Sequence, residues 1–173
     1  MKKSLLILAL LGMAIFSQAQ VTKTVSVIPG GLYKALTFPE ISSITHLTLT
    51  GSLDARDFKT MRDAMPALKV VDLTKVSIVA YEGAEGTEES DKGKAEKHEY
   101  AANTIPQYSF YKKKNGSGKR TIEQLIYPKN LTGVGEKAFY ACYHLSEVTF
   151  PTSVNKIETE AYSNCKSLNS VTV

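Results

Sequence analysis

The feature that most constrains this chain is that Ile122–Val173 repeats itself. Ile122-Glu-Gln-Leu-Ile-Tyr-Pro-Lys-Asn-Leu131 lies over Leu145-Ser-Glu-Val-Thr-Phe-Pro-Thr-Ser-Val154 at an offset of 23 residues. The offset then carries Val134 onto Ile157, Ala138 onto Ala161, Phe139 onto Tyr162 and Cys142 onto Cys165. A third copy opens at Leu168 with Val171 and Val173. One such unit cannot bury its apolar side chains alone, so a fixed period of roughly 20–29 residues predicts stacked coils, each burying the next.

Residue types give the course of one coil. Leu145-x-x-Val148-x-Phe150 predicts a short strand with Val148 and Phe150 on one face and Glu147 and Thr149 on the other. Pro151 has no N–H for a sheet ladder, so the strand should end there. Val154 and Ile157 should continue the buried side. Ala161, Tyr162 and Cys165 should return on the opposite wall.

The pattern Ile/Val-x-x-x-Ala-Phe/Tyr-x-x-Cys-x-x-Leu, at Val134–Leu145 and again at Ile157–Leu168, resembles the BspA-like leucine-rich repeat family of bacterial surface proteins. The resemblance implies a secreted or surface-exposed solenoid that binds other macromolecules. It brings no catalytic residues and no cofactor. The expected fold is α/β: a right-handed, horseshoe-like leucine-rich coil of about four and a half irregular turns with short parallel strands. One helical convex segment is expected near the N-terminus, with irregular convex segments later.

Upstream, Met1–Ala19 reads as a signal peptide. Lys2 and Lys3 precede the apolar run Leu5–Phe16, and Ser17-Gln18-Ala19 offers a small-x-small cleavage site. Spanning a bilayer takes about 20 apolar residues, and this run is shorter. Removing Lys2 and Lys3 takes the formal charge from +4 to +2, so bulk charge selects no partner. The expected localisation is exported: secreted, cell surface or periplasmic. Export also places the cysteines in an oxidising compartment. About 150 residues remain, enough for one domain with a core.

Residues 20–43 are expected to form an N-terminal cap, with a strand before Pro29-Gly30-Gly31 and a short helix at Leu32–Leu36. The repeat domain then spans 44–173. Ile44-x-x-Leu47-x-Leu49 and Leu68-x-x-Val71-x-Leu73 are two further openings, 24 residues apart. Between them Phe58, Met61 and Met65 fall at helical spacing, which predicts an amphipathic helix over Asp54–Met65 with Asp54 as cap and Pro66 as stop.

Two insertions interrupt the period, at about 81–104 and 112–120. Tyr81–Ala102 is rich in Glu, Gly, Lys and Ser, and reads as a solvated loop. Its carboxylates Glu85, Glu88, Glu89 and Asp91 lack the alternating ligands and fixed Gly of an EF-hand, so no metal site is expected. Lys112, Lys113, Lys114, Lys119 and Arg120 surround Asn115-Gly-Ser-Gly118 in a basic turn. Clustered cations attract polyanions, and for an exported chain a glycan or acidic protein is the sensible polyanion rather than nucleic acid.

No catalytic constellation is present in the sequence. His46, His98 and His144 are scattered, and the nucleophile-elbow, zinc-protease and phosphate-loop motifs do not occur. Cys142 and Cys165 occupy equivalent places in neighbouring coils. Burial as free thiols in a small apolar ladder is the leading expectation for the pair; coil spacing of about 4.8 Å lies inside the Cα range for a disulfide, which is the alternative.

Strand residues that point away from the core should form a continuous concave face. These are His46, Thr48, Val70, Asp72, Gln124, Ile126, Glu147, Thr149, Ser170 and Thr172. The leading expectation is a protein-binding or adhesion module. A glycan-binding protein that depends on Lys112–Lys114 and a structural stalk from a longer surface protein are the alternatives. Val173 directly follows a fresh strand, which predicts a truncated repeat array or self-association through an open C-terminal edge.

Overall fold

The structure, a computed structural model, describes residues 19–89 and 96–172. The expected leader falls outside these residues except for Ala19, and so does Asp91.

The chain opens with strand β1 (Thr22–Val27), helix α1 (Phe38–Ser43), strand β2 (His46–Leu53), helix α2 (Ala55–Asp63) and strand β3 (Val70–Ile78). The three strands pair in parallel, and strand β9 (Gln124–Ile126) adds to β3 as the fourth. Strands β11 (Glu147–Thr149) and β13 (Ser170–Thr172) form a parallel pair. Adjoining segments join β9 to β11: the Ser146 N–H donates to the Glu123 carbonyl at 3.2 Å. A second parallel sheet runs β6 (Thr104–Ile105), β10 (Gly133–Val134), β12 (Lys156–Ile157). Each coil thus contributes one residue set to two stacked ladders, as a sequence with a fixed period requires.

The register explains the core. Leu47, Val71 and Leu125 share one row, and Val148 and Val171 share the row of the next pair. The ring positions stack coil on coil. Phe110 lies 5.2 Å from Phe139, and Phe139 lies 5.0 Å from Tyr162, nearly parallel in both cases. Burying a large apolar side chain contributes about 2 kcal/mol, so each coil gains from the next.

Helix α2 forms where the spacing predicts. Phe58, Met61 and Met65 are fully buried. The Asp54 side chain accepts from the Arg56 N–H at 2.9 Å, and the Asp57 side chain accepts from the Asp54 N–H at 2.9 Å. Asp57 also accepts from the N–H groups of Gly30 and Leu32, at 2.8 and 2.9 Å. One carboxylate therefore ties the turn after β1 to the start of α2. Burial pushes the Asp57 carboxyl up, against these three donors.

Three expectations need correction. Leu32–Leu36 is a turn, with Ala35 N–H donating to the Gly31 and Leu32 carbonyls; the helix comes later, at α1. There the Glu40 carboxylate accepts from Thr37 N–H and Oγ1, at 2.8 and 2.9 Å, which fixes the first turn. Ile157 is not buried. It is 49% exposed, whereas its ladder mates Ile105 and Val134 are fully covered by the coil that follows each of them.

The largest correction concerns 81–102. Strands β4 (Tyr81–Gly83) and β5 (His98–Tyr100) form an antiparallel hairpin with Tyr81 stacked on Tyr100 at 5.9 Å. Arg62 of α2 reaches out and anchors it. The Arg62 guanidinium donates to the carbonyls of Thr87 (2.7 Å), Tyr108 (2.9 Å) and Tyr111 (3.2 Å), and pairs with Asp63 at 2.9 Å. Arg56 lies over the Tyr81 ring at 4.6 Å. Thr87 is fully buried, its hydroxyl on the Gln107 carbonyl. Contacts to α2 hold Tyr81 and Thr87 in place, in a segment whose composition alone offers little burial.

The second insertion is a tight hairpin of β7 (Tyr111–Lys112) and β8 (Ser117–Gly118) around a 3-10 turn at Lys113–Asn115. Gly116 takes φ 60° there, a conformation that glycine adopts without steric cost.

Candidate functional site

The expected concave residues do lie together. His46, Val70 and Gln124 share one register row, and Thr48, Asp72 and Ile126 share the next outward-facing row. Glu147 pairs with Ser170 and Thr149 with Thr172. Gln124 Nε2 donates to Glu147 Oε1 at 2.7 Å and links the two sets. The structure adds two residues that the sequence reading left out. Thr22 pairs with His46 and Thr24 with Thr48, because β1 is a strand of the same sheet. The clue was present in the alternation of Thr22, Thr24 and Ser26 with valines.

Much of this face is held in place. Asp72 Oδ1 accepts from the Thr74 N–H and hydroxyl, at 2.9 and 2.7 Å. The Thr45 hydroxyl lies 2.9 Å from His46 Nδ1. Ile126 is the exposed apolar side chain between these polar groups, at 37% exposure. It opens onto a groove of about 400 Å³ whose walls include Thr74, Lys129, Glu147 and Thr149. Threonine hydroxyls both donate and accept, so such a face can meet a partner's polar groups on either side of an apolar centre.

The basic turn separates into unlike parts. Lys112 pairs with Asp63 at 3.5 Å. Lys119 turns inward: its ammonium donates to the Met65 carbonyl at 2.7 Å, at the end of α2, and burial pulls its pKa down to about 8. Lys113 lies 6.0 Å from the Tyr108 ring, and the Lys114 N–H donates to Glu89. Arg120 points elsewhere, onto the Tyr143 ring at 5.3 Å. The expected five-cation patch is therefore not one surface; Lys112 and Lys119 serve the fold.

Cys142 and Cys165 are free thiols. Cys142 is fully buried with its sulfur 3.7 Å from the Phe110 carbonyl, and Cys165 Sγ lies 3.1 Å from the Phe139 carbonyl. Burial pushes both thiols up, Cys165 to about 11. Thiolates are the nucleophiles and metal ligands, so these sulfurs pack rather than react. Among the described residues no group of three or more His, Cys, Asp or Glu side chains could hold a metal ion. Among them, too, no helix is long and apolar enough to cross a membrane.

Residues 103–173 match the BspA type leucine rich repeat region in six copies. That stretch is similar to BspA-type leucine-rich repeats, and with its parallel ladders the fold is a repeat fold. No curated protein matches the chain in sequence. Among solved structures it is similar to a T. pallidum leucine-rich repeat protein, at 15% identity and a TM-score of 0.43. The match covers 88% of this chain and 58% of that one, so the chain spans just over half of that protein's length.

Proposed function

We propose that this chain is an exported, surface-exposed leucine-rich repeat protein that binds a protein partner on its outward sheet face, as an adhesion module. The observation that carries the reading is the register of β1, β2, β3 and β9, which lines up Thr24, Thr48, Asp72 and Ile126 in one row. Aligned rows of this kind suit an extended partner held by many modest contacts around an apolar centre. BspA-type repeats are typical of surface and secreted proteins, which supports export, as does the signal-peptide pattern of 1–19. In this reading 20–43 caps the first coil and 44–173 is the repeat domain, coiled as a horseshoe. Binding, not catalysis, is its work.

The test is binding of the full secreted chain to an array of purified extracellular-matrix and serum proteins, with Ile126→Glu as the probe variant. The reading expects at least one bound protein whose affinity falls about tenfold or more, since a buried unpaired charge at a contact centre costs more than 1.4 kcal/mol. If Ile126→Glu and wild type bind every captured protein equally, the sheet face is not the binding surface.

A further inference from the structure

Arg120, Tyr143 and Lys166 stand at 23-residue spacing, one in each of three successive coils, just before β9, β11 and β13. The Arg120 guanidinium lies 5.3 Å from the Tyr143 ring centroid and the Lys166 ammonium 5.0 Å from it, so at most about 10 Å parts the two cations. Both cations belong to exposed residues, and the ring is half-buried. Among the described residues neither cation has a carboxylate partner within ion-pair distance. That sets them apart from Lys23, Lys69, Lys112, Lys137 and Lys156, which are all paired.

We infer that this rim ladder is a binding site for a linear acidic polysaccharide, separate from the outward sheet face. A cation–ring contact restrains a long flexible side chain, so two cations lose less freedom when an anion arrives. Coils repeat every ~4.8 Å, so the ladder runs along the stacking direction and the backbone positions that carry the two cations stand about two coils apart. A strand-like acidic peptide fits this spacing poorly. Its same-face carboxylates recur about every 6.6 Å, and residues about 10 Å apart point to opposite faces. A polysaccharide with one acidic group per disaccharide repeats over a length comparable with the ladder's.

The test is surface-plasmon binding of the full chain to immobilised heparin, hyaluronate and poly-glutamate. Heparin carries sulfates and carboxylates, hyaluronate carboxylates alone, so the pair identifies which anion is read. The expected result is binding to at least one polysaccharide, weakened roughly tenfold or more in R120Q/K166Q, as for loss of charge-assisted hydrogen bonds. The salt dependence should fall by about one to two in log–log slope with the two charges removed. Y143F should retain binding and Y143L should weaken it. K34Q/K75Q, which removes two exposed lysines elsewhere, should bind as wild type. I126E should also leave polysaccharide binding intact, which separates this site from the sheet face. An unchanged affinity in R120Q/K166Q overturns the inference. So does absence of binding to both polysaccharides, a larger loss in K113Q/K114Q than in R120Q/K166Q, or equal affinity for poly-glutamate.

Discussion

The first and second halves of the ladder solve one problem by different means. In the first, β2 and β3 run for 8 and 9 residues and α2 closes the coil behind them. In the second, β9, β11 and β13 have 3 residues each, and no helix accompanies them among the described residues. The backbone bonds there move to the returning wall. Phe110 N–H donates to the Ala138 carbonyl at 2.7 Å, Phe139 N–H to Ala161 at 2.8 Å and Ala141 N–H to Ser163 at 2.9 Å. This wall needs left-handed residues: Tyr108, Lys137 and Glu160 recur at φ 49–57°, and Ala141 and Asn164 at 54° and 61°. A helix gives a coil its own internal hydrogen bonds. Without one, each coil must bond to the next, and stacking becomes the condition for satisfying the backbone.

The largest effect should come from the rings that hold the second half together. Phe139→Ala is expected to cost about 3–5 kcal/mol, because it empties the centre of the Phe110–Phe139–Tyr162 stack. Hydrogen exchange should show the loss concentrated beyond residue 103, with β2 still protected. Equal loss in β2 would mean that the two halves are one cooperative unit.

Next is Arg62→Met, at about 3 kcal/mol, since it leaves the buried carbonyls of Thr87 and Tyr108 without their donor and Asp63 with Lys112 alone. Limited proteolysis should then cut within 84–97 before any other site. A hairpin as resistant as wild type would show that Tyr81 and Tyr100 hold it alone.

Tyr162→Phe removes the 2.7 Å hydroxyl bond to Tyr127 and should cost about 1 kcal/mol in chemical denaturation. Lys119 gives a pH signature. Its folded pKa is about 8, below its usual value near 10.5, so between these values the unfolded chain binds the extra proton. Stability should therefore rise with pH across that window, and Lys119→Met should flatten the rise relative to wild type. The smallest effect is Ala141→Gly. Relief of the left-handed φ of 54° offsets glycine's backbone entropy cost, so unfolding should shift by less than about 1 kcal/mol.

These two halves were not equally readable from sequence. The ladder was plain because stacked coils reuse the same chemistry: Leu125 above Val148, Phe139 above Tyr162. The α2 helix was plain because Phe58, Met61 and Met65 keep one face. What stayed hidden depends on partners distant in the chain. Arg62 bonds Thr87 and Tyr111 across 25 and 49 residues, and nothing local in 81–102 signals that an arginine awaits it. The left-handed turns were hidden for another reason. They fall on Lys137 and Glu160 rather than glycine, and are imposed by bonding to the next coil. The outward face was legible by alternation from Ile44 onward, whereas the membership of β1 depended on pairing that only the folded sheet shows. The rim ladder was half legible. The basic turn drew attention to Arg120, but Tyr143 and Lys166 emerge only when successive coils are laid over one another.

Whether the two halves share one binding face is decided by placing one charge on the outward face of each. Thr48→Glu lies on β2 beside Asp72, where the like charge costs up to about 1 kcal/mol, and Thr149→Glu lies on β11; both are outward-facing, so neither should unfold the chain. Affinity for the same captured extracellular protein is then measured for each variant. If the two halves present one continuous binding face, both variants bind more weakly, each by about tenfold. If both variants bind as wild type, the aligned rows are scaffold alone and the protein's binding surface lies elsewhere.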